Sequence, residues 1–152
     1  MEYTFIYPNQ LFEIHPAVSR GRKIVLIEDP LFFGDDRYPI NYHKQKILLH
    51  HMSIRQYFYK MRNDGYEIEI INCENLKREH YTSWLIKKYN IHGIHVADVV
   101  DYELKNRIEK AVSDCSASLK WYDNPNFLLK QSDVNNDFLG KKRHLMANFY
   151  KK

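Results

Sequence analysis

The sequence contains very little cysteine. Its 152 residues include only two, Cys73 and Cys115. Two cysteines cannot build the disulfide framework that stabilises many small secreted domains, and they cannot supply a four-cysteine metal site. Both lie beside apolar runs, so we interpret them as small core residues rather than as reactive thiols.

Glycine is also scarce, and none occurs just after the first apolar run. The segment P-N-Q-L-F-E-I-H-P, residues 8–16, contains no glycine. The dinucleotide fingerprint and the P-loop both need glycines at this point, because the backbone must approach a phosphate closely. The sequence therefore argues against a nucleotide held by its phosphates after the first strand.

Long apolar runs and a strong excess of charge are missing as well. No run approaches the ~20 apolar residues of a membrane span, and the sequence does not open with a signal peptide. We therefore expect a cytoplasmic protein with no membrane partner. The net charge is only +4, which is too small to indicate nucleic-acid binding. The basic cluster at residues 141–144 is interpreted as a solvated helix face, with a phosphate-binding surface as the alternative.

The histidines lack the spacing of metal ligands. His43, His50 and His51 fall on one predicted helix, but no two histidines there are four residues apart, as paired ligands on a helix would be. Ser53 and Cys115 lack the surroundings of an activated nucleophile. The sequence thus predicts neither a metal site nor a catalytic residue.

Apolar runs of strand length alternate with amphipathic segments of helix length. This alternation predicts right-handed crossovers and a parallel sheet with helices on both faces. We predict one doubly wound, Rossmann-like α/β domain over residues 1–152, with five strands in the order 3-2-1-4-5. The predicted strands are 3–7, 23–27, 66–71, 94–97 and 118–122. The predicted helices are 41–64 with Asn41 as its cap, 77–89, one that begins at Asp101, and 132–150; residues 31–39 are predicted to be a loop.

A ligand of such a domain is expected where the order of the strands reverses, between strands one and four at their carboxyl ends. Amides, carboxylates and aromatic rings at this edge suit a flat heteroaromatic ring with several hydrogen-bonding groups. The alternative is that these are ordinary polar residues where strands meet solvent. The candidate ligand-binding residues are Asn9, Gln10, Glu28, Phe32, Asp98, Val100 and Asp101.

Several short motifs occur in a characteristic order along the chain. They are Pro8-Asn9-Gln10-Leu11-Phe12-Glu13 with His15-Pro16, then Glu28-Asp29-Pro30-Leu31-Phe32-Phe33, Tyr42-His43-Lys44-Gln45-Lys46 with His50, Met52-Ser53 and Tyr57, Tyr122-Asp123-Asn124-Pro125-Asn126-Phe127-Leu128, and Phe149-Tyr150-Lys151-Lys152. Together they resemble the N-terminal α/β domain of the iron–sulfur photolyase and cryptochrome family (FeS-BCP or CryPro type), the deoxyribodipyrimidine photolyase-related proteins.

The resemblance implies that this domain holds an antenna chromophore, 6,7-dimethyl-8-ribityllumazine or a similar molecule. In that family a larger helical domain follows, with FAD, a 4Fe-4S cluster and the binding site for a (6-4) photoproduct in DNA. The implied antenna contacts are Asn9, Gln10, the vicinity of Glu28, Val100 and Asp101. Many relatives have Gly-Asp in place of Pro8-Asn9 and Gly-Glu in place of Val100-Asp101.

The resemblance also bears on partners. The sequence ends where the helical domain of the family would begin, so the flavin, the cluster and the lesion site are expected outside these residues. We expect the partner to be that helical domain, on the same or another chain, with DNA contacted only indirectly and no catalysis by this domain alone. An alternative is an interaction module of the same fold that binds no chromophore and docks onto a separate partner. A small hydrolase or transferase is a third possibility that no catalytic constellation supports.

Overall fold

In the computed structural model, residues 1–76, 80–138 and 140 are described. The strands are β1 (Glu2–Ile6), β2 (Lys23–Ile27), β3 (Ile68–Ile71), β4 (Gly93–Ala97) and β5 (Ser118–Tyr122). The helices are α1 (Pro30–Phe33), α2 (Lys44–Asn63), α3 (Tyr81–Lys88), α4 (Tyr102–Asp114) and α5 (Gln131–Phe138), and a 3-10 helix spans Cys73–Leu76. None of the helices in the described residues combines the length and the apolar character needed to cross a membrane.

The five strands form one parallel sheet in the order β3-β2-β1-β4-β5. The central strand β1 pairs with β2 on one side and β4 on the other, so that Thr4 lies opposite both Ile24 and His95. The predicted fold class and strand order are confirmed. The order of the strands reverses between β1 and β4, and in doubly wound folds ligands bind at the carboxyl ends of the strands at such a point.

The core consists of two apolar layers, one on each face of the sheet. On one face, Phe5 and Ile27 pack with residues of α3 and α4 such as Leu85 and Ile108. On the other face, α2 covers the sheet through Ile54, Tyr57 and Met61, which pack with Ile6, Ile24 and Leu26. The central strands are continuous apolar runs because both of their faces are buried.

Two local predictions between β2 and α2 were wrong. The long helix begins at Lys44 rather than after Asn41, because His43 is the N-cap and its Nδ1 accepts from the backbone N–H of Gln45 at 3.2 Å. The first three residues of the predicted loop 31–39 belong to the short helix α1. Asp29 caps this helix, and Pro30 suits its first turn because proline has no N–H to leave unpaired.

Other boundaries moved by a few residues. The first strand begins one residue earlier than predicted, and β3 begins at Ile68 rather than at residue 66. The helix predicted at 77–89 begins at Tyr81, and residues 77–79 lie outside the described residues. In the last predicted helix, 132–150, the described part is α5. The remainder, including the basic cluster at 141–144, lies outside the described residues.

Candidate functional site

Gln10 bridges the carboxyl ends of β1 and β4. Its side chain is fully buried. The Nε2 of Gln10 donates to the carbonyl oxygen of Ala97 at 2.7 Å, and its Oε1 accepts from the backbone N–H of Tyr7 at 3.3 Å. Gln10 therefore joins the two strands where their crossovers diverge. A side chain used in this way has little capacity left for a ligand.

The turn after β4 is tied to its neighbours on both sides. The exposed Asn9 donates from Nδ2 to the carbonyl oxygen of Val99 at 3.1 Å. Asn124, which follows β5, donates from Nδ2 to the carbonyl oxygen of Asp98 at 2.7 Å. The carboxylate of Asp98 accepts from the backbone N–H of Val100 at 3.2 Å. These bonds hold a polar edge at which Asn9 is exposed, Asp98 is partly exposed and Asn124 is buried.

Val100 has an unusual backbone conformation within this turn. Its φ is +64°, a region that L-residues rarely adopt and that is least favourable for β-branched side chains. Its side chain is 55% exposed, so apolar packing does not offset the strain. The next residue, Asp101, caps α4 by accepting from the backbone N–H of Leu104 at 2.8 Å. The turn thus presents a strained valine and a helix-capping carboxylate side by side.

Glu28 and Asp29 leave the end of β2 on opposite faces of the sheet, as successive residues of a strand do. Glu28 is buried on the α2 face, where its Oε1 lies 2.7 Å from Nδ1 of His51 and its Oε2 accepts from the backbone N–H of Cys73 at 3.2 Å. These groups border a cavity of about 340 Å³ that Phe33 and Arg55 also line. The ring of Phe33 contacts that of His51, with the ring centres 4.6 Å apart and the planes tilted by 42°.

Asp29 lies among tyrosines on the other face. Its carboxylate accepts from the backbone N–H of Leu31 at 2.8 Å and from the hydroxyl of Tyr81. Burial raises the pKa of Asp29 to about 6, against the opposing effect of the Tyr81 hydrogen bond. Burial also raises the pKa of Tyr7 and of Tyr81. Asp29 therefore becomes protonated in mildly acidic solution.

A larger cavity, of about 710 Å³, lies between the loop after α1, the start of α3, and α4. Arg107 crosses its wall: its Nη1 and Nη2 bind the two carboxylate oxygens of Asp35 at 2.6 and 3.2 Å, and its Nε binds Glu103 at 3.1 Å. Burial alone raises the pKa of Asp35, but the hydrogen bonds from Arg107 and from the backbone lower it below its usual value. The cations and carboxylates of this wall largely neutralise each other.

Five of the seven predicted ligand-binding residues lie together in the structure, and the other two lie apart from them and from each other. The ends of β1 and β4 bring together Asn9, Gln10, Asp98, Val100 and Asp101. Glu28 faces α2 instead, and Phe32 packs against the core on the opposite face and meets the ring of His50 edge-on at 5.9 Å. The larger cavity is lined by none of the seven residues, and the smaller one only by Glu28.

The sequence reasoning missed several polar residues near these cavities. The pairing of Asp29 with Tyr81 could have been suspected, because alternation along a strand places its side chain on the face opposite Glu28. The spacing of Glu103 and Arg107, four residues apart on a helix, is a second readable signal. The contact of Arg107 with Asp35 spans 72 residues, and no local pattern indicates it.

Comparison with known proteins identifies the family of the chain. A family model of deoxyribodipyrimidine photo-lyase-related proteins matches residues 4–152. The chain belongs to this family. The match covers residues 4–6 of β1 and all of the other four strands, so it includes all seven candidate residues of the photolyase-related domain.

A viral protein is similar to this photolyase-related protein over most of both chains. An uncharacterized protein of Acanthamoeba polyphaga mimivirus is 24% identical over 148 residues, which are 95% of this chain and 74% of the viral protein. About a quarter of the viral protein therefore lies outside the aligned region.

Within the described residues of the present chain, no group of three or more His, Cys, Asp and Glu side chains is arranged to hold a metal ion.

Proposed function

We propose that this photolyase-related domain binds a lumazine-type antenna chromophore at the carboxyl edge of its sheet, as in the iron–sulfur branch of the family. The observation that carries the proposal is the β1–β4 edge, where Asn9 and Asp101 flank the exposed, strained Val100. Light absorbed there would pass as excitation energy to FAD in a helical domain that also carries a 4Fe-4S cluster. That domain, on this or another chain, would contact the damaged DNA.

The available atoms at this edge suit a flat ring. The Nδ2 of Asn9 bonds Val99, so its Oδ1 remains to accept from a ring N–H, and Oδ2 of Asp101 can accept beside the oxygen that caps α4. Exposed apolar side chains stand after β4 and β5, among them Tyr102 and Phe127. Edge hydrogen bonds together with an aromatic or apolar face are what a heteroaromatic ligand needs.

The direct test is a titration of the purified chain with 6,7-dimethyl-8-ribityllumazine, followed by the ligand's own fluorescence. We expect micromolar or tighter binding, and near-ultraviolet to blue absorbance after co-expression with the lumazine pathway. Asp101→Asn keeps a good helix cap but removes the charge, so it should weaken binding about tenfold while the fold is kept. Asp123→Asn, an exposed change after β5, is the matched control.

The outcome that contradicts this proposal is equally clear. If the chain binds no lumazine, flavin or deazaflavin above micromolar affinity, the antenna function is wrong. If Asp101→Asn and Asp123→Asn bind the chromophore equally well, the chromophore does not contact Asp101.

A second candidate function is an interaction module that binds no chromophore. The viral relative favours it, because the quarter of that protein outside the match leaves little room for a large helical domain. Exposed apolar residues on α2 also favour it. Light scattering of the chain mixed with a separately encoded helical photolyase-type protein would test it. A stable complex supports the module, and two separate monomers at micromolar concentration contradict it.

A further inference from the structure

The outer surface of α2 carries an apolar stripe that faces away from the core. Its members are each more than half exposed and span three turns of the helix: Leu48, Leu49, Met52 and Tyr59. The buried residues Ile54, Tyr57 and Met61 lie on the opposite side of the same helix. Helical geometry places residues 48, 52 and 59 in one line. The stripe is therefore a second, solvent-facing apolar face of a helix whose first face already packs on the sheet.

Basic residues flank this stripe on both sides. The α2 helix contains five lysines and arginines and no aspartate or glutamate: Lys44, Lys46, Arg55, Lys60 and Arg62. From the helical repeat, residues 44, 55 and 62 lie along one border of the stripe, and residues 46 and 60 along the other. All five are exposed. Among the described residues, no ion pair involves any of them.

We propose that this outer face of α2 docks an acidic amphipathic helix of a partner protein. Leu48, Met52 and Tyr59 are spaced by four and seven residues, as are the apolar residues that line the contact between two paired helices. In such pairs, the charged residues on either side of the apolar line determine which helix is bound. Unpaired cations on both borders call for carboxylates on the partner's borders. This inference deepens the second candidate function by naming its surface and the chemistry of its partner, and it does not depend on chromophore binding.

Charge argues against a second copy of this chain as the occupant. Two α2 helices placed face to face would bring five cations against five, with no carboxylate on either helix to compensate. Like charges opposed across an interface disfavour association. A partner of opposite charge gains from the same surface.

Polar side chains within the stripe argue against an anionic membrane or a nucleic acid. Gln45 and Gln56 are exposed and lie between the apolar residues. In hydrocarbon their amides would lose their hydrogen bonds, which is unfavourable, whereas a partner helix can pair them. A phosphate backbone would pair the cations but leave Leu48 and Met52 without apolar contact.

The test uses the full chain and two synthetic helical peptides of three heptads, with leucine at the seam. One peptide has glutamate at the border positions and the other has lysine there. Fluorescence anisotropy should show binding of the acidic peptide only, weakening as salt is raised. Leu48→Ser with Met52→Ser should weaken it at least about tenfold, because both changes remove apolar surface that the partner helix would bury. Arg55→Glu with Lys60→Glu should weaken it at least as much.

Matched changes elsewhere serve as controls. Leu128→Ser removes a fully exposed apolar side chain after β5, and Lys110→Glu reverses an exposed charge on α4. Both should bind the acidic peptide like the parent chain. Circular dichroism should show that all variants keep the parent's fold, since the altered side chains are exposed.

Several results would overturn the docking proposal. The first is an affinity for the acidic peptide that is the same in both α2 double variants as in the parent chain. The second is binding of the lysine peptide as tight as that of the acidic peptide. The third is binding to phosphatidylserine vesicles or duplex DNA that is tighter than binding to the acidic peptide and is abolished in the α2 variants. Lumazine titration of Leu48→Ser with Met52→Ser separates this proposal from the antenna function. Lost peptide binding with unchanged lumazine binding supports two independent sites.

Discussion

Gln10 and Ala97 are joined by a hydrogen bond of 2.7 Å from the side-chain amide of one to the carbonyl oxygen of the other. This bond links the ends of β1 and β4 at the point where the strand order reverses. Because the side chain is fully buried, water cannot replace the bond. Gln10 is thus a structural bridge beneath the proposed antenna site rather than one of its exposed contacts.

Replacing Gln10 with leucine should destabilise the chain even without any ligand. The carbonyl oxygen of Ala97 and the N–H of Tyr7 would each lose a buried partner, and each loss costs about 1–3 kcal/mol. Urea unfolding should therefore show a drop of about 3 kcal/mol in the free energy of unfolding. Asn9→Ala, at an exposed neighbour, should cost less than about 1 kcal/mol. Equal stabilities of the two variants would contradict the bridging role.

Val100→Gly should stabilise the fold. Glycine adopts the φ of +64° without the clash that a β-branched side chain meets there. Relief of that clash is worth roughly 1–2 kcal/mol, less the greater flexibility of glycine in the unfolded chain. Thermal unfolding should show a higher midpoint, whereas the control Val99→Gly, at a buried position, should lower it. A lower midpoint for Val100→Gly would show that the valine is not strained.

The buried carboxyl of Asp29 should make stability depend on pH. Its pKa in the fold is about 6, above the unfolded value of about 3.9. Between these values the folded state holds the proton more tightly, so the contribution is fully present below pH about 4 and is lost as pH rises towards 6. The loss amounts to about 3 kcal/mol. Asp29→Asn should remove this pH-dependent contribution. The unfolding free energy of the parent chain minus that of Asp29→Asn should therefore fall between pH about 4 and 6 and stay constant above that range.

His15 should act in the opposite direction over an overlapping range. It is buried, its Nδ1 accepts from the backbone N–H of Ala17 at 3.2 Å, and burial lowers its pKa to about 4. Its contribution is present above pH about 6.5 and is lost as pH falls towards 4, by up to about 3 kcal/mol. His15→Gln should therefore unfold with a smaller loss of stability on acidification than the parent chain. A variant that loses stability in parallel with the parent would contradict this.

Local patterns accounted for most of the architecture. The alternation of apolar runs and amphipathic segments predicted the five parallel strands in their observed order, because buried strands and helices differ in their apolar period. Boundaries were less accurate where one side chain decides them. His43 caps α2 in place of Asn41, and Asp29 begins a helix within a predicted loop. Several residues in each region can cap a helix, and only the folded chain shows which one does.

The candidate site was determined by the sequence only in part. Strand ends and their polar residues can be read from the chain, because parallel strands bring their carboxyl ends to one edge, and this placed Asn9, Val100 and Asp101 together. Tertiary structure alone decided three contacts. The side-chain amide of Gln10 donates to the carbonyl oxygen of Ala97, and the carboxylate of Glu28 lies beside the ring of His51. The guanidinium of Arg107 binds Asp35. Each of these contacts joins residues distant in the chain, and their geometry depends on how the helices pack across the sheet.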